Sequence, residues 1–310
     1  MIYSIKRFSK DSDNTKKAIG AAAVGVGLKV GGDKISNKIR KRLTELQAQS
    51  YEKGMEIKDN PEMVEKLRRL GKKRGVDFVE RGHKDLESSH LGAGGPIKAA
   101  RNLIDKGEKS KHPKLREAFK KANEEFSSAI GSKNWGKKPI ITTAEGFKTR
   151  AGTLAHELGH NYYEHGKNVG VIGKVAHKLY APSAMITDSK VGNGLLMADG
   201  FRRGKNSVKT DEEGNIKTNR KKMLKSAGLG LAVAAPRLVS EGAASLAGYN
   251  TLKKAGASKE LLKYTRKDLG NAFGTYAAAS LKPILSETSG HLAGEAYGRI
   301  REKNKKRKRS

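Results

Sequence analysis

The chain has 310 residues, of which 36% are hydrophobic and only 5% aromatic, with 64 Lys and Arg against 32 Asp and Glu and no cysteine. That length allows one large domain or two smaller ones around a real core, and apolar positions filled mostly by Ala, Gly, Val and Leu argue for close helix packing over an aromatic-rich β-sandwich. The net charge of +32 suits an anionic membrane surface or nucleic acid bound by non-specific electrostatics, while the lack of Cys excludes disulfides and thiolate ligands, so a zinc site must use His and carboxylates.

Residues 1–58 read as a basic leader. It holds the Gly/Ala-rich helical segment Ala18–Leu28, which Lys29 interrupts, and then the charged run Lys34–Gln49. The apolar stretch is shorter than the roughly 20 residues of a spanning helix, as are those at 227–236 and 270–281. No secretory signal follows the start. The absence of Cys fits a reducing compartment, so a cytoplasmic or membrane-associated protein is expected, with a virion as the alternative.

Asn60-Pro61 reads as a helix N-cap with Pro at the first helical position. The helix after it, 62–71, puts Met63, Leu67 and Leu70 on one face, with Gly71 to close it. Alternation over 75–80 predicts a short strand. LGAGGP at 91–96 is a turn cluster, and 97–130 reads as one or two charged helices. β-Branched residues at 139–143 predict a second strand, just before a helix over 151–165. The part from 59 to 183, which holds that helix, is read as the first part of a helical core. Residues 184–224 read as a basic loop excursion with a hairpin turn at Glu213-Gly214-Asn215. Residues 225–300 read as helical, and 301–310 as a disordered basic tail. The fold class expected is mainly α (α+β), a zincin-like helical core with a few short strands and Gly/Ala-rich helices.

The helix over 151–165 carries His156-Glu157-Leu-Gly-His160, an HExxH motif. Residues four apart share one helix face, so both imidazoles can reach one Zn2+ at about 2.0–2.1 Å. Glu157 then lies beside the metal as general base, taking a proton from a water that the zinc acidifies. Leu154, Ala155 and Leu158 let the helix be buried, and Gly159 leaves room beside the site. The chemistry expected is hydrolysis of a peptide bond in a peptide or protein substrate.

A catalytic zinc takes a third protein ligand. His165 lies roughly 140° around the helix from His160, and can serve only if the helix ends near Tyr162. Glu164 shares the histidine stripe but stands about 12 Å beyond His156. Both read as surface or outer residues. The metzincin pattern fails, because Tyr163 and Gly166 stand where it needs Gly and His. The best candidate is Glu241, a lone acid in the small, apolar segment 238–245, where burial is costly unless the acid is paired or metal-bound. The alternative is a helix-start acid following Pro236. A further stripe, Glu287, His291 and Glu295, reads as an exposed polar helix face.

These residues together resemble the YugP-like neutral zinc metallopeptidases of bacteria. The likeness lies in the segment 138–146 before the motif, the motif 154–160, and the later element 238–245. Looser similarity covers 75–91 and 263–281. The resemblance implies a gluzincin-type site with Glu241 as third ligand. Two positions depart from the family pattern: Asn161 follows the second His where the family has a small residue, and Ala243 stands where it has an acid. The competing expectation is a basic structural or delivery protein, for example a phage virion component, with a retained or decayed peptidase fold.

Overall fold

A computed structural model describes residues 27, 29–46, 49, 56–81, 89–91, 95–130, 132–144, 150–165 and 171–309. The chain is mainly helical with a few short strands. In order, the elements are α1 (29–46), α2 (Asn60–Lys73), β1 (Asp77–Arg81), β2 (Ser89–Leu91), α3 (Gly95–Gly107), α4 (Pro113–Ile130), β3 (Ile140–Ala144), α5 (Ala151–His165), α6 (Val171–Asp188), α7 (Lys190–Lys205), β4 (Val208–Thr210), β5 (Ile216–Thr218), α8 (Arg220–Lys254) and α9 (Lys259–Arg309). Most of Ala18–Leu28 lies outside the described residues. Among those described, no helix is long and apolar enough to cross a membrane.

Two compact units share the long helices. One comprises 43–178 and 239–274, the other 1–42, 179–238 and 275–310. The first unit holds the HExxH helix. Its sheet has the order β1-β3-β2, with β1 parallel and β2 antiparallel to β3. α2 leads into β1 through Gly75, whose φ of +79° is the left-handed conformation that glycine adopts without strain. Met63, Val64 and Leu67 recur at helical spacing on α2 and pack with Ile141 of β3, with Leu154, Ala155 and Leu158 of α5, and with Leu252 and Leu261. Burying each of these larger aliphatic side chains contributes about 1.5–3 kcal/mol, so the motif helix stands in the middle of the core.

Asn60 does not cap its own helix. The position before α2 is Asp59, which makes no side-chain cap, and Asn60 is buried with its Oδ1 accepting the Ala151 N–H at 2.9 Å. That amide is one of the unpaired donors at the start of α5, so Asn60 caps the motif helix from a distance. α9 begins with a comparable device, in which the Ser258 hydroxyl accepts the Leu261 N–H at 3.1 Å and donates to Asp59 at 3.0 Å. A buried ion pair between Arg150 and Asp268 ties the residue before α5 to α9. Removing one partner of such a pair leaves an uncompensated charge, at a cost of about 3–5 kcal/mol.

In the second unit, the stretch expected as a loop excursion is largely helical. α7 fills 190–205, and only 206–219 form the hairpin, turning at Gly214 with φ +79°. The glycines that suggest a loop serve close packing instead. A Cβ at Gly200 or Gly204 would collide with the α9 carbonyls of Glu287 or His291, and one at Gly290 or Gly294 with the α7 carbonyls of Met197 or Phe201. The basic tail also differs from expectation, because α9 continues to Arg309. There Glu302 pairs with Lys305 at 3.0 Å and accepts from Thr210 at 3.1 Å, which offsets part of the positive charge.

This packing corrects the reading of Glu287 and His291 as an exposed face. Both are fully buried, because α7 reaches the α9 backbone through its glycines. The Ser226 hydroxyl lies 3.0 Å from His291 Nδ1. Burial, reinforced by the Asp199 carboxylate and opposed by Arg203, pushes Glu287 up to about 7, and burial holds His291 below its usual value. A carboxyl raised in the folded state keeps its proton more firmly there than in the unfolded chain. Its contribution is therefore complete below the unfolded carboxylate range and is lost as the pH rises towards 7. Glu287→Gln, which fixes the neutral form, should raise Tm by a few degrees at about pH 8.5 and leave it nearly unchanged at about pH 4. Thermal melts across pH, read as variant minus parent, check this; His291 titrates in both proteins.

Candidate metal centre

α5 is helical from Ala151 through His165, so His156 and His160 share one face. The continuity of the helix removes the condition under which His165 could join them. The side chains of Glu164 and His165 lie outside the described residues. The His156 and His160 rings stand edge to face, with centroids 4.7 Å apart.

Glu241 comes from α8. Pro236 lies inside that helix rather than at its start, so Glu241 is a mid-helix acid and the helix-start alternative falls. The carboxylate is buried, with 1% of the residue exposed. Its Oε2 lies 3.2 Å from His156 Nε2 and 3.5 Å from His160 Nε2. Burial alone would raise the Glu241 carboxyl, but hydrogen bonds and charge from the two imidazoles hold it well below the usual carboxylate range.

The helix crossing explains how a carboxylate reaches two imidazoles on a neighbouring helix. Gly159 of α5 faces the Ala244 backbone of α8, where a Cβ would fall inside van der Waals contact with the Ala244 carbonyl oxygen. Gly248 of α8 faces the α5 backbone in return, and a Cβ there would stand 2.6 Å from the Ala155 carbonyl oxygen. Each helix therefore presents two small residues four apart, Ala155 and Gly159 against Ala244 and Gly248. Backbone meets backbone, and the short reach of a glutamate suffices.

The donor set could hold a metal ion. Ligand atoms each about 2.0–2.1 Å from a tetrahedral zinc stand roughly 3.3–3.4 Å apart, and the two Glu241–His separations bracket that edge. One ligand atom from each of the three residues lies within 4.8 Å of the others. Among the described residues, no other group of three His, Cys, Asp or Glu meets this condition. Glu157, the expected base, is partly exposed, while His156 and Leu158 on either side of it are buried.

No protein-family model matches the chain, and neither a curated protein nor a solved structure is similar to it.

Ser245 is the site residue that the sequence reading passed over. Its hydroxyl lies 3.1 Å from His156 Nδ1. With a metal on Nε2, Nδ1 would carry the ring proton and donate it to the Ser245 hydroxyl, which would fix the tautomer and the ring plane. The available signal was spacing, since Ser245 follows Glu241 by four residues and shares its helix face. Ser245→Ala should weaken zinc affinity about tenfold, measured by competition with a chromophoric chelator, while the melting of the metal-free chain changes little.

Proposed function

We propose that the chain is a zinc-dependent peptidase, with His156, His160 and Glu241 as metal ligands and Glu157 as general base. The observation that supports it is the convergence of the Glu241 carboxylate on both imidazole Nε2 atoms at 3.2 and 3.5 Å, on a helix that also carries the Glu beside the first His. Zinc held there would supply a Lewis acid for a peptide carbonyl and acidify a water at neutral pH. Glu157 would accept a proton from the attacking water as it adds to the carbonyl carbon, and the same carboxyl would deliver that proton to the leaving amide nitrogen as the C–N bond breaks. Ser245 holds the His156 ring, and the Gly159–Ala244 contact holds the distance between the two helices. Membership of the YugP-like neutral zinc metallopeptidases is part of the same proposal.

The test is elemental analysis joined to an activity assay. The full chain should carry one zinc, and His156→Ala, His160→Ala and Glu241→Ala should each lower the metal content sharply. An unfolded protein substrate such as casein should be cleaved, with loss of cleavage on chelation and recovery on adding zinc. Metal content unchanged in these variants, or cleavage indifferent to chelation, would overturn the reading.

A further inference from the structure

One turn beyond His160 on α5, the motif helix forms the wall of a groove that the hydrolytic reading leaves unused. α2 and the last part of α8 supply its other sides, and its volume is about 710 Å3, within the usual range of ligand sites. Tyr163 stands three residues after His160, on the same helix face, and Tyr162 packs against it edge to face at 5.7 Å. Leu70 and Leu246 extend the apolar surface. Leu246 is 60% exposed and Tyr162 38% exposed, so large apolar groups stand open to solvent beside the metal ligands.

The charge on the groove is one-sided. Five lysines and arginines line it and no acid does. Two of them are neutralised on α2 itself, Lys66 by Glu62 at 2.9 Å and Arg69 by Glu65 at 3.2 Å. Lys73, Arg74 and Lys254 make no ion pair among the described residues. Three uncompensated cations around an apolar, aromatic floor attract an anion that also carries apolar side chains. A bare phosphate backbone would use the cations and leave Leu70 and Leu246 wet, whereas a peptide can satisfy both. Extended chain advances about 3.3 Å per residue, so a peptide lying in the groove needs only a few residues to reach the HExxH turn.

We propose that this groove binds an acidic peptide segment bearing aliphatic or aromatic side chains, and that it selects such segments as substrate for the adjoining metal centre. The second half rests on the peptidase reading; the first half does not.

Binding is therefore measured on the metal-free Glu157→Gln chain, where no cleavage occurs. The probe is a fluorescein-labelled octapeptide of alternating Glu and Leu, followed by anisotropy at physiological salt. The double variant Lys73→Glu, Arg74→Glu should weaken binding at least about tenfold, since charge pairs at such a site act at short range. Lys120→Glu, Lys121→Glu, an equal charge change on the exposed face of α4, should change it less than about twofold. Leu246→Ser should weaken it several-fold at unchanged charge. Equal losses in the two charge variants would show that only the overall +32 attracts the peptide and would overturn the proposal, as would indifference to all three variants. An oligodeoxythymidine bound as tightly, with the same losses, would assign the groove to nucleic acid and overturn it too. In the zinc-loaded chain, cleavage indifferent to the groove variants would sink the selection step while leaving the peptidase reading intact. Groove binding without any cleavage would do the reverse.

Discussion

Glu157→Gln is expected to keep zinc at one per chain and to lose hydrolysis by about a thousandfold, within the range set by removing a general base. Gln fills the same volume but cannot accept the water proton or return it to the leaving nitrogen. The three residues that converge on one point are His156, His160 and Glu241; Glu157 is not among them, so the metal should stay. Elemental analysis and casein hydrolysis measured on one preparation separate the two effects. Retained activity would exclude Glu157 as the base. Loss of zinc together with activity would give Glu157 a ligand's role instead.

The second large effect is expected from Gly159→Val. Its Cβ would fall inside contact with the Ala244 carbonyl oxygen, and neither backbone can turn aside within a helix. α5 and α8 must separate, and the Glu241 carboxylate moves away from both imidazoles. Zinc affinity should fall at least about a hundredfold, the upper end of what a lost supporting contact costs, because a ligand itself is displaced. Overpacking of this kind costs about 1–3 kcal/mol in addition, which lowers Tm by several degrees. The control is Gly228→Ala, where a Cβ meets nothing within 4 Å. There the better helix propensity of alanine should stabilise slightly and leave zinc binding unchanged. If Gly159→Val binds zinc like the parent, the close crossing is not what positions Glu241.

The parts legible in the sequence were those fixed by local pattern. The spacing of His156 and His160 implies a shared helix face, and the helix runs over 151–165 as expected. β-Branched residues marked β3, and Glu213-Gly214-Asn215 marked the hairpin turn. Glu241 stood out because an acid among small apolar residues must find a partner, and the structure places it against both histidines.

The misreadings share a cause, which is that a local signal was used by a distant element. Asn60 beside a proline looks like a cap for its own helix, but its oxygen goes to Ala151, distant in sequence. Glycines such as Gly192, Gly194, Gly200 and Gly204 suggest a loop by propensity, yet at 200 and 204 they admit the backbone of α9. That same contact buries Glu287 and His291, whose i, i+4 spacing alone resembles a solvated stripe. Burial on a helix depends on which neighbour arrives, and a single helix does not carry that information.

The unit that holds His156, His160 and Glu241 is built from two separate stretches of chain, 43–178 and 239–274. A ribosome delivers the two histidines well before the carboxylate. Until Glu241 has emerged, the cluster consists of His156 and His160 alone, fewer than the three protein ligands of a catalytic zinc. Closing the intervening chain is a slowly growing entropic cost, and a metal bound by all three residues would favour the closed arrangement. On the peptidase proposal, zinc would be held by all three residues only after Glu241 has been made, so the site would stay inert while the chain is still growing.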